Sequence, residues 1–245
     1  MSRSLITYNG RVINFTSYIN PANPLWNGLY TAYKAENNAN DELGVYNGTA
    51  VGGLTYGAGK DGNSFVFNGT NSYVSLPNSS FDFVGDFSIS VWVKIPSAPS
   101  SGGSIFRNDN YDVTTAYGYA LYVNTSSNIG FYIGATNGTS TVTSTTTLAL
   151  NTWYYVTIKR DSVAKRSDLY INGVLEAQAT NTNLTISYGT RAIQPAIGAY
   201  RQNNQGVLSV SNYLNGTVDE LYIWDRLITT DEITELYNSG VGTFY

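Results

Sequence analysis

Hydrophobic and polar residues alternate with a period of two in several parts of this chain. Segments 87–94 and 153–159 alternate strictly, and segment 218–224 has the composition of another strand. Alternation of this kind is typical of a β-strand with one buried face. The pairs Asn9-Gly10 and Asn172-Gly173 each separate two such runs, and Asn-Gly supplies the positive φ angles of a tight hairpin turn. The pattern therefore predicts many short antiparallel strands.

Helical spacing occurs once, close to the C-terminus. Segment 229–232 has the sequence of a capping box, in which the first and fourth residues bond to each other's backbone. Ile233, Leu236 and Tyr237 follow at helical spacing, and Gly240 is placed to end the helix. Many strands and one short C-terminal helix predict an all-β fold, an antiparallel β-sandwich.

The beginning of the chain is predicted to stand apart from the sandwich. Residues 4–15 form the hairpin around Asn9-Gly10, and Pro21 and Pro24 follow it. Prolines restrict the backbone and mark a linker or turn. The sequence thus predicts a hairpin arm with a proline linker, residues 1–24, and a sandwich, residues 25–245.

Composition narrows the range of functions. The 245 residues fit one all-β domain, and only 12% are charged, about half the usual share. A net charge of −4 and scattered basic residues argue against nucleic acid as a partner, because phosphate binding needs clustered Lys and Arg. No apolar stretch approaches the ~20 residues of a membrane span, so no membrane insertion is expected.

The sequence lacks both cysteine and histidine. Disulfides, thiolate chemistry and zinc–thiolate sites are therefore excluded. The usual general base and the commonest transition-metal ligand are missing as well. Both absences favour a protein that is not an enzyme.

Five segments occur in an order that points to one family of sandwiches. They are 33–41, 62–74, 86–94, 150–153 with 169–173, and 216–224, the last with the sequence Gly-Thr-Val-Asp-Glu-Leu-Tyr-Ile-Trp. From about Leu29 to Tyr237, this order resembles the laminin-G-like, concanavalin A-like lectin/glucanase jelly-roll family. The resemblance implies a jelly-roll β-sandwich. Members of the family bind carbohydrates, proteins or lipids, and related folds include polysaccharide hydrolases.

The resemblance also implies a structural calcium ion. In similar families the ion ties the N-terminal segment to the last long strand, through an Asp at the position of Asp219. Oxygen atoms near Asn68, Gly69 and Asp41 are the expected additional ligands, since calcium takes ~6–8 oxygens. The alternative is that Asp219 accepts hydrogen bonds from local backbone N–H groups and that Asp41 is an ordinary turn residue.

Two polar, aromatic stretches are candidate glycan-binding loops, because sugars are held by aromatic faces together with amide and charged groups. The alternative is that Asn, Tyr and Gly are so frequent in this chain that any loop would look similar. The candidate residues are Arg107, Asn108, Asp109 and Tyr111 in the first stretch, and Tyr200, Arg201 and Asn203 in the second.

Catalysis by a pair of carboxylates is not expected. Glycosidases place two such groups ~5–9.5 Å apart, and on one strand this requires acids at i and i+2 or i+4, on the same face. No predicted strand carries an acidic pair at i and i+2. Asp109 and Asp112 fall in a predicted loop, and Asp219 and Glu220 are expected to point to opposite faces. A polysaccharide-active enzyme with unusual carboxylates is a third-ranked alternative.

The expected setting is the surface of a bacteriophage virion. The chain begins at Met1 without a secretory signal, and cysteine-free sandwiches rich in Asn, Thr, Gly and Tyr are typical of phage particles. We expect a capsid decoration, head-fibre or tail-associated protein. Its arm would bind capsid or tail proteins, it would form a homo-oligomer, and host or environmental glycans are candidate ligands. The alternative is a secreted, extracellular bacterial carbohydrate-binding lectin whose signal has been removed.

Overall fold

Two antiparallel sheets enclose the main hydrophobic core in the computed structural model of this protein. The structure describes residues 5–8, 11–14, 24–112, 115–181, 184–189, 194–204 and 207–244. The first twelve strands are β1 (Leu5–Tyr8), β2 (Arg11–Asn14), β3 (Leu29–Tyr33), β4 (Thr49–Val51), β5 (Thr55–Ala58), β6 (Asn63–Asn68), β7 (Tyr73–Ser75), β8 (Phe87–Lys94), β9 (Gly103–Asp112), β10 (Thr115–Val123), β11 (Asn128–Ala135) and β12 (Gly138–Thr147). The remaining strands are β13 (Tyr154–Asp161), β14 (Arg166–Ile171), β15 (Val174–Thr180), β16 (Ala196–Ile197), β17 (Tyr200–Asn204), β18 (Val207–Ser211) and β19 (Asn215–Trp224).

The two large sheets have different strand orders, and the C-terminal helix covers the outer surface of one of them. The eight-stranded sheet has the order β15-β14-β13-β8-β19-β6-β5, with β3 pairing to β19, and the seven-stranded sheet has the order β12-β11-β10-β9-β16-β7-β4. Helix α1 (Thr230–Tyr237) packs on the side of the eight-stranded sheet that points away from the core. Among helices in the described residues, none has the length and apolar character that crossing a membrane requires.

The predicted sandwich is confirmed, and the alternation in the sequence explains how it forms. In β8, Ile89, Val91 and Val93 pack in the core between the sheets, while Trp92 belongs to a second cluster beneath the helix. We call this second group the helix-side cluster. Its fully buried members include Leu25, Trp92, Tyr155, Tyr222, Trp224, Ile228, Ile233 and Leu236.

The predicted hairpin around Asn172-Gly173 is present, and the strands that flank Asn9-Gly10 pair with each other, while residues 9–10 lie outside the described part of the chain. Ile171 pairs with Val174, which leaves a two-residue turn in which Asn172 and Gly173 have φ angles of 51° and 79°, as the tightest hairpin turns require. Strands β1 and β2 pair with each other in a two-stranded sheet of their own. The division into an arm of residues 1–24 and a sandwich of residues 25–245 stays a prediction.

Helix α1 begins as predicted and ends earlier than predicted. The Thr229 side chain accepts a hydrogen bond from the Glu232 N–H, and the Glu232 carboxylate accepts one from the Thr229 N–H. The helix ends where Asn238 adopts a left-handed conformation with φ of 44°. Gly240 lies beyond this point, in a short 3-10 turn (Asn238–Gly240). The prediction that Gly240 ends the helix was therefore wrong, because asparagine also tolerates this conformation.

Candidate functional site

The middle of the seven-stranded sheet presents polar and aromatic side chains on the face that points away from the core, which we call the outer face. Phe106, Leu121 and Phe131 are buried between the sheets. Because successive side chains of a strand alternate between faces, the residues that follow them point outward. These outward residues are Arg107, Tyr122 and Tyr132.

The strand register makes these outward residues neighbours across the sheet. Arg107 lies opposite Ala120, and Ala120 lies opposite Tyr132. Two residues along the strands, Tyr122 lies opposite Gly130. The alanine and the glycine carry little or no side chain, so they leave space above the backbone for neighbouring rings.

The Tyr122 ring occupies the space that a side chain at residue 130 would need. A Cβ atom added to Gly130 would lie 2.4 Å from Cζ and 2.7 Å from Cε2 of the Tyr122 ring. The ring therefore lies over the Gly130 backbone. The Tyr122 ring can take this position because Gly130 has no side chain.

A hairpin of β17 and β18 lies beside this part of the outer face. Tyr73, Ala196 and Ala199 form a small buried cluster against which Val210 of the hairpin packs. Tyr200 and Gln202, on β17, line a cavity between the hairpin and strands β9 to β11. The cavity has a volume of about 700 Å³, within the ~300–1,000 Å³ range of small-molecule sites.

One ion pair lies at the wall of the cavity. The Arg107 Nε and Nη2 atoms donate to the two Asp109 carboxylate oxygens at 2.9 and 2.6 Å, and the guanidinium stacks over the Tyr200 ring at 4.1 Å. Burial raises the pKa of the Asp109 carboxyl and tends to lower that of Arg107. For Arg107, the charge and the hydrogen bonds of Asp109, with smaller contributions from Tyr200 and Tyr122, together outweigh burial and raise the pKa. Each charge thus depends on the other.

The structure brings together three of the seven predicted glycan-binding residues. Arg107, Asp109 and Tyr200 all line the cavity. Asn108 is fully buried and donates to the Phe81 carbonyl. Arg201 donates to the Pro195 carbonyl and its guanidinium lies 5.9 Å from the Tyr73 ring. Neither Asn108 nor Arg201 is among the residues that line the cavity.

The other two predicted residues, Tyr111 and Asn203, have backbones in strands β9 and β17, and their side chains lie outside the described part of the structure. Both candidate stretches were predicted as loops, and that prediction was wrong. Arg107 and Asp109 bond to each other from positions i and i+2 of one strand, and the Asn108 side-chain amide N–H group donates to a backbone carbonyl. Residues typical of turns can therefore occupy strands here.

Sequence reasoning missed Tyr122 and Tyr132 in the cavity wall, whereas Gln202 lies within the second candidate stretch, residues 200–204, and was not singled out there. A signal for the tyrosines was present, because each alternates with core residues: Leu121 and Val123 flank Tyr122, and Phe131 precedes Tyr132. A large aromatic residue at a strand position that is expected to face solvent indicates a candidate binding surface. No local pattern indicates that Gln202 would join them from a distant hairpin.

The four predicted calcium ligands do not converge on one point. Asn68 pairs with Asn215, four residues along β19 from Asp219, which is roughly 13 Å at the rise of a strand. The Asn68 side-chain oxygen accepts hydrogen bonds from three backbone N–H groups of the following turn, and the Gly69 N–H bonds to the Leu214 carbonyl. The Asp41 carboxylate accepts four backbone N–H bonds, from Ala32, Leu43, Val45 and Tyr46.

Asp219 follows the alternative that the sequence left open. Its carboxylate accepts the N–H groups of Lys60 and Asp61 at 2.6 and 3.1 Å, and that of Glu220 at 3.0 Å. Within the described residues, no three acidic side chains are arranged to hold a metal ion. The proposed ligand set thus does not fit calcium, and calcium binding itself stays a prediction of the resemblance.

Asp219 and Glu220 do not point to opposite faces, contrary to the sequence expectation. Asp219 lies opposite Trp92, and the Glu220 carboxylate contacts the Tyr222 hydroxyl. Both aromatic residues belong to the helix-side cluster. The register of β19 against β8 shifts after Asp219, and Glu220 has a φ of 50°. This β-bulge adds a residue and turns both carboxylates toward one side.

The result is an acidic couple that the sequence analysis overlooked. Both residues are 0% exposed. Burial raises the pKa of Asp219 to about 7, against the backbone hydrogen bonds that lower it. Burial, together with the charge of Asp219, raises the pKa of Glu220 to about 9. Neither group reaches solvent, and Asp219 holds the neighbouring loop through the N–H groups of Lys60 and Asp61.

Comparisons with solved structures identify similar folds. Domain 4 of AbnA, a GH43 extracellular arabinanase from Geobacillus stearothermophilus in complex with arabinotriose, is 20% identical over 88% of this chain and 98% of its own, with a TM-score of 0.63. The binding domain of Paraclostridial Mosquitocidal Protein 1 is 19% identical over 88% of this chain and 53% of its own, with a TM-score of 0.66. The binding domain of Botulinum Neurotoxin DC in complex with SialylT is 14% identical over 87% of this chain and 51% of its own, with a TM-score of 0.62.

This chain spans about half the length of the two toxin binding domains. At these identities the likeness concerns the fold alone. No protein with a curated function matches the chain in sequence.

Residues 68–234, more than half of the chain, match the family described as the concanavalin A-like lectin/glucanases superfamily. The match lies within the stretch from Leu29 to Tyr237 that carries the resemblance, and the two sheets and C-terminal helix agree with it. The chain therefore belongs to the concanavalin A-like lectin/glucanase superfamily.

Proposed function

We propose that this protein is a non-catalytic glycan-binding module and that its sugar site is the cavity on the outer face of the seven-stranded sheet. The observation that carries the proposal is the convergence of Tyr122, Tyr132 and Tyr200 with Arg107 and Gln202 around one open cavity. Sugars present apolar C–H faces and polar hydroxyl groups. Aromatic rings bind the former, and a few placed polar groups bind the latter.

The similar structures support this proposal without fixing a ligand. The two toxin structures are named as binding domains, and domain 4 of the arabinanase is in complex with arabinotriose. The buried carboxylates Asp219 and Glu220 lie on the opposite side of the sandwich from the cavity. Asp109, the acid in the cavity wall, is held by Arg107. Binding is thus better supported than hydrolysis, and a reducing-sugar assay on polymers related to any bound glycan tests for hydrolysis.

A glycan array probed with the wild-type protein and with Tyr132→Ala tests the proposal. We expect the wild-type protein to bind a defined set of glycans, and Tyr132→Ala to weaken that binding about tenfold, ~1.4 kcal/mol, because a stacking surface is lost. Leu150→Ala is the matched control, since Leu150 is 50% exposed and lies outside the cavity. Equal losses of binding in both variants, or binding that neither variant affects, would contradict the assignment of the cavity as the sugar site.

The setting in which the module is displayed is a separate proposal. The hairpin of β1 and β2 precedes the sandwich and pairs only with itself among the described strands, which supports an arm that docks on a neighbour by strand addition. We propose a phage virion surface, with capsid or tail proteins as neighbours and self-association. A secreted bacterial lectin is supported equally, and the neighbouring genes distinguish the two.

Deletion of residues 1–24 tests the arm. If the hairpin docks the module on a particle, the truncated protein is expected to keep its glycan binding and thermal unfolding midpoint and to be lost from purified particles. The measurement is immunoblotting of particles assembled with each form. Incorporation at the wild-type level would show that the arm has another role.

A further inference from the structure

The cavity contains a single pair of charged side chains. Among the described residues that line it, Arg107 and Asp109 are the charged ones, and the others are Gly, Ser, Thr, Asn, Gln and Tyr. The two charges lie 2.6 Å apart at their nearest atoms. The cavity wall is therefore electrically neutral as a whole.

The Asp109 carboxylate binds one edge of the Arg107 guanidinium and leaves another edge available to a ligand. The Nε and Nη2 atoms are bonded to the carboxylate, and the Tyr200 ring covers one face of the group. Within the described part of the chain, Nη1 has no hydrogen-bond partner. The side chains of Arg107 and Asp109 are 15% and 5% exposed, so solvent screens the pair only weakly.

This arrangement favours neutral ligands over acidic ones. A sugar hydroxyl can accept a hydrogen bond from Nη1 and can also donate one to a carboxylate oxygen, which has further lone pairs. A sugar carboxylate would meet an arginine whose charge is already compensated. It would also place a second negative charge beside Asp109 in a partly buried site, where like charges repel strongly.

We propose that Asp109 determines specificity in this cavity, by cancelling the charge of Arg107 so that the site takes neutral glycans and rejects glycans with uronic or sialic acid groups. The inference rests on the proposed function, because it concerns the same cavity. Arg107 then acts as a rigid, neutralised hydrogen-bond donor. Its stacking on Tyr200 keeps it in place when the ligand binds.

The experiment compares binding to matched neutral and acidic glycans, such as galacto-oligosaccharides and galacturono-oligosaccharides, within a broader array. The wild-type protein is expected to bind the neutral member of a pair at least about tenfold more tightly than the acidic member. Affinity for the neutral glycan should not change between about 50 and about 500 mM NaCl, since no net charge is engaged.

Asp109→Asn is the informative variant. It keeps the shape of the side chain and leaves the Arg107 charge uncompensated, so binding of acidic glycans should rise at least about tenfold and become sensitive to salt. Asp168→Asn is the matched control, because Arg166 and Asp168 form the same bidentate pair on β14, at 2.7 and 3.1 Å, outside the cavity. This control should leave the preference unchanged.

The outcomes distinguish the proposed role of Asp109 from the proposed glycan binding. Preference for neutral glycans in the wild-type protein, reversed or reduced only in Asp109→Asn, supports the inference. Equal or tighter binding of acidic glycans by the wild-type protein overturns it and leaves the glycan-binding proposal standing. Binding to no glycan overturns both. If Asp109→Asn does not fold, the wild-type preference and its salt dependence still decide the question.

Discussion

Gly130→Ala is expected to weaken glycan binding about tenfold, ~1.4 kcal/mol, while the protein stays folded and as stable as before. The added Cβ would lie 2.4 Å from the Tyr122 ring, so the ring has to leave its place over the sheet. Gly130 lacks the positive φ that only glycine adopts easily, and alanine in a strand is favoured over glycine by ~0.5–1 kcal/mol. Calorimetric titration with a bound glycan and urea unfolding measure the two effects separately.

The control for this variant is Gly85→Ala. A Cβ at Gly85 would meet no atom within 4 Å, and its φ is also ordinary, so neither binding nor stability should change appreciably. Wild-type affinity in Gly130→Ala would mean that Tyr122 does not contact the ligand. A large loss of stability would mean that the strand itself, and not the ring, is disturbed.

Glu220→Gln is expected to stabilise the protein progressively as pH rises. Burial and the neighbouring Asp219 raise the pKa of Glu220 from 4.5 to about 9, so the folded state keeps a proton that the unfolded state has lost. A carboxyl group of this kind destabilises the fold increasingly from its ordinary pKa up to its raised one, by ~1.4 kcal/mol per pH unit. The amide carries no charge and avoids this loss.

Urea unfolding at pH 5 and pH 8 measures the difference. The free energy of unfolding of Glu220→Gln minus that of the wild-type protein should increase by on the order of 3 kcal/mol between these pH values. Glu235→Gln, an exposed site on α1, is the control and should follow the wild-type protein. A difference that does not depend on pH would contradict the assignment of a protonated, buried Glu220.

The sandwich was predictable because its signals are local. The alternation in β8 and β13, the Asn172-Gly173 turn and the capping box of α1 each depend on residues adjacent in sequence. The side-chain period of two then places the core residues on one face without knowledge of the partner strand. These are the features that the structure confirms.

The cavity was predictable only in part because its geometry is not local. Arg107, Asp109 and Tyr200 were recognised by residue type. The pairing of β10 with both β9 and β11 then places Tyr122 and Tyr132 on the same face as Arg107. Packing of the distant β17–β18 hairpin adds Gln202. Residue types thus indicated the chemistry, and register and packing decided which residues meet.

The acidic couple was missed for a different physical reason. A strict period of two puts Asp219 and Glu220 on opposite faces, and the β-bulge at Glu220 breaks that period. A bulge inserts one residue whose conformation depends on the partner strand and on packing. The sequence also did not show that Asn68 pairs with Asn215, four residues along β19 from Asp219.

Chemical-shift mapping by NMR tests the location of the glycan site most directly. The isotope-labelled protein is titrated with a glycan that binds, and shifted backbone amides are assigned. The account predicts shifts concentrated at β9, β10, β11 and β17, around Arg107, Tyr122, Tyr132 and Tyr200. Shifts confined to the opposite side of the sandwich, around Trp92 and α1, would contradict it.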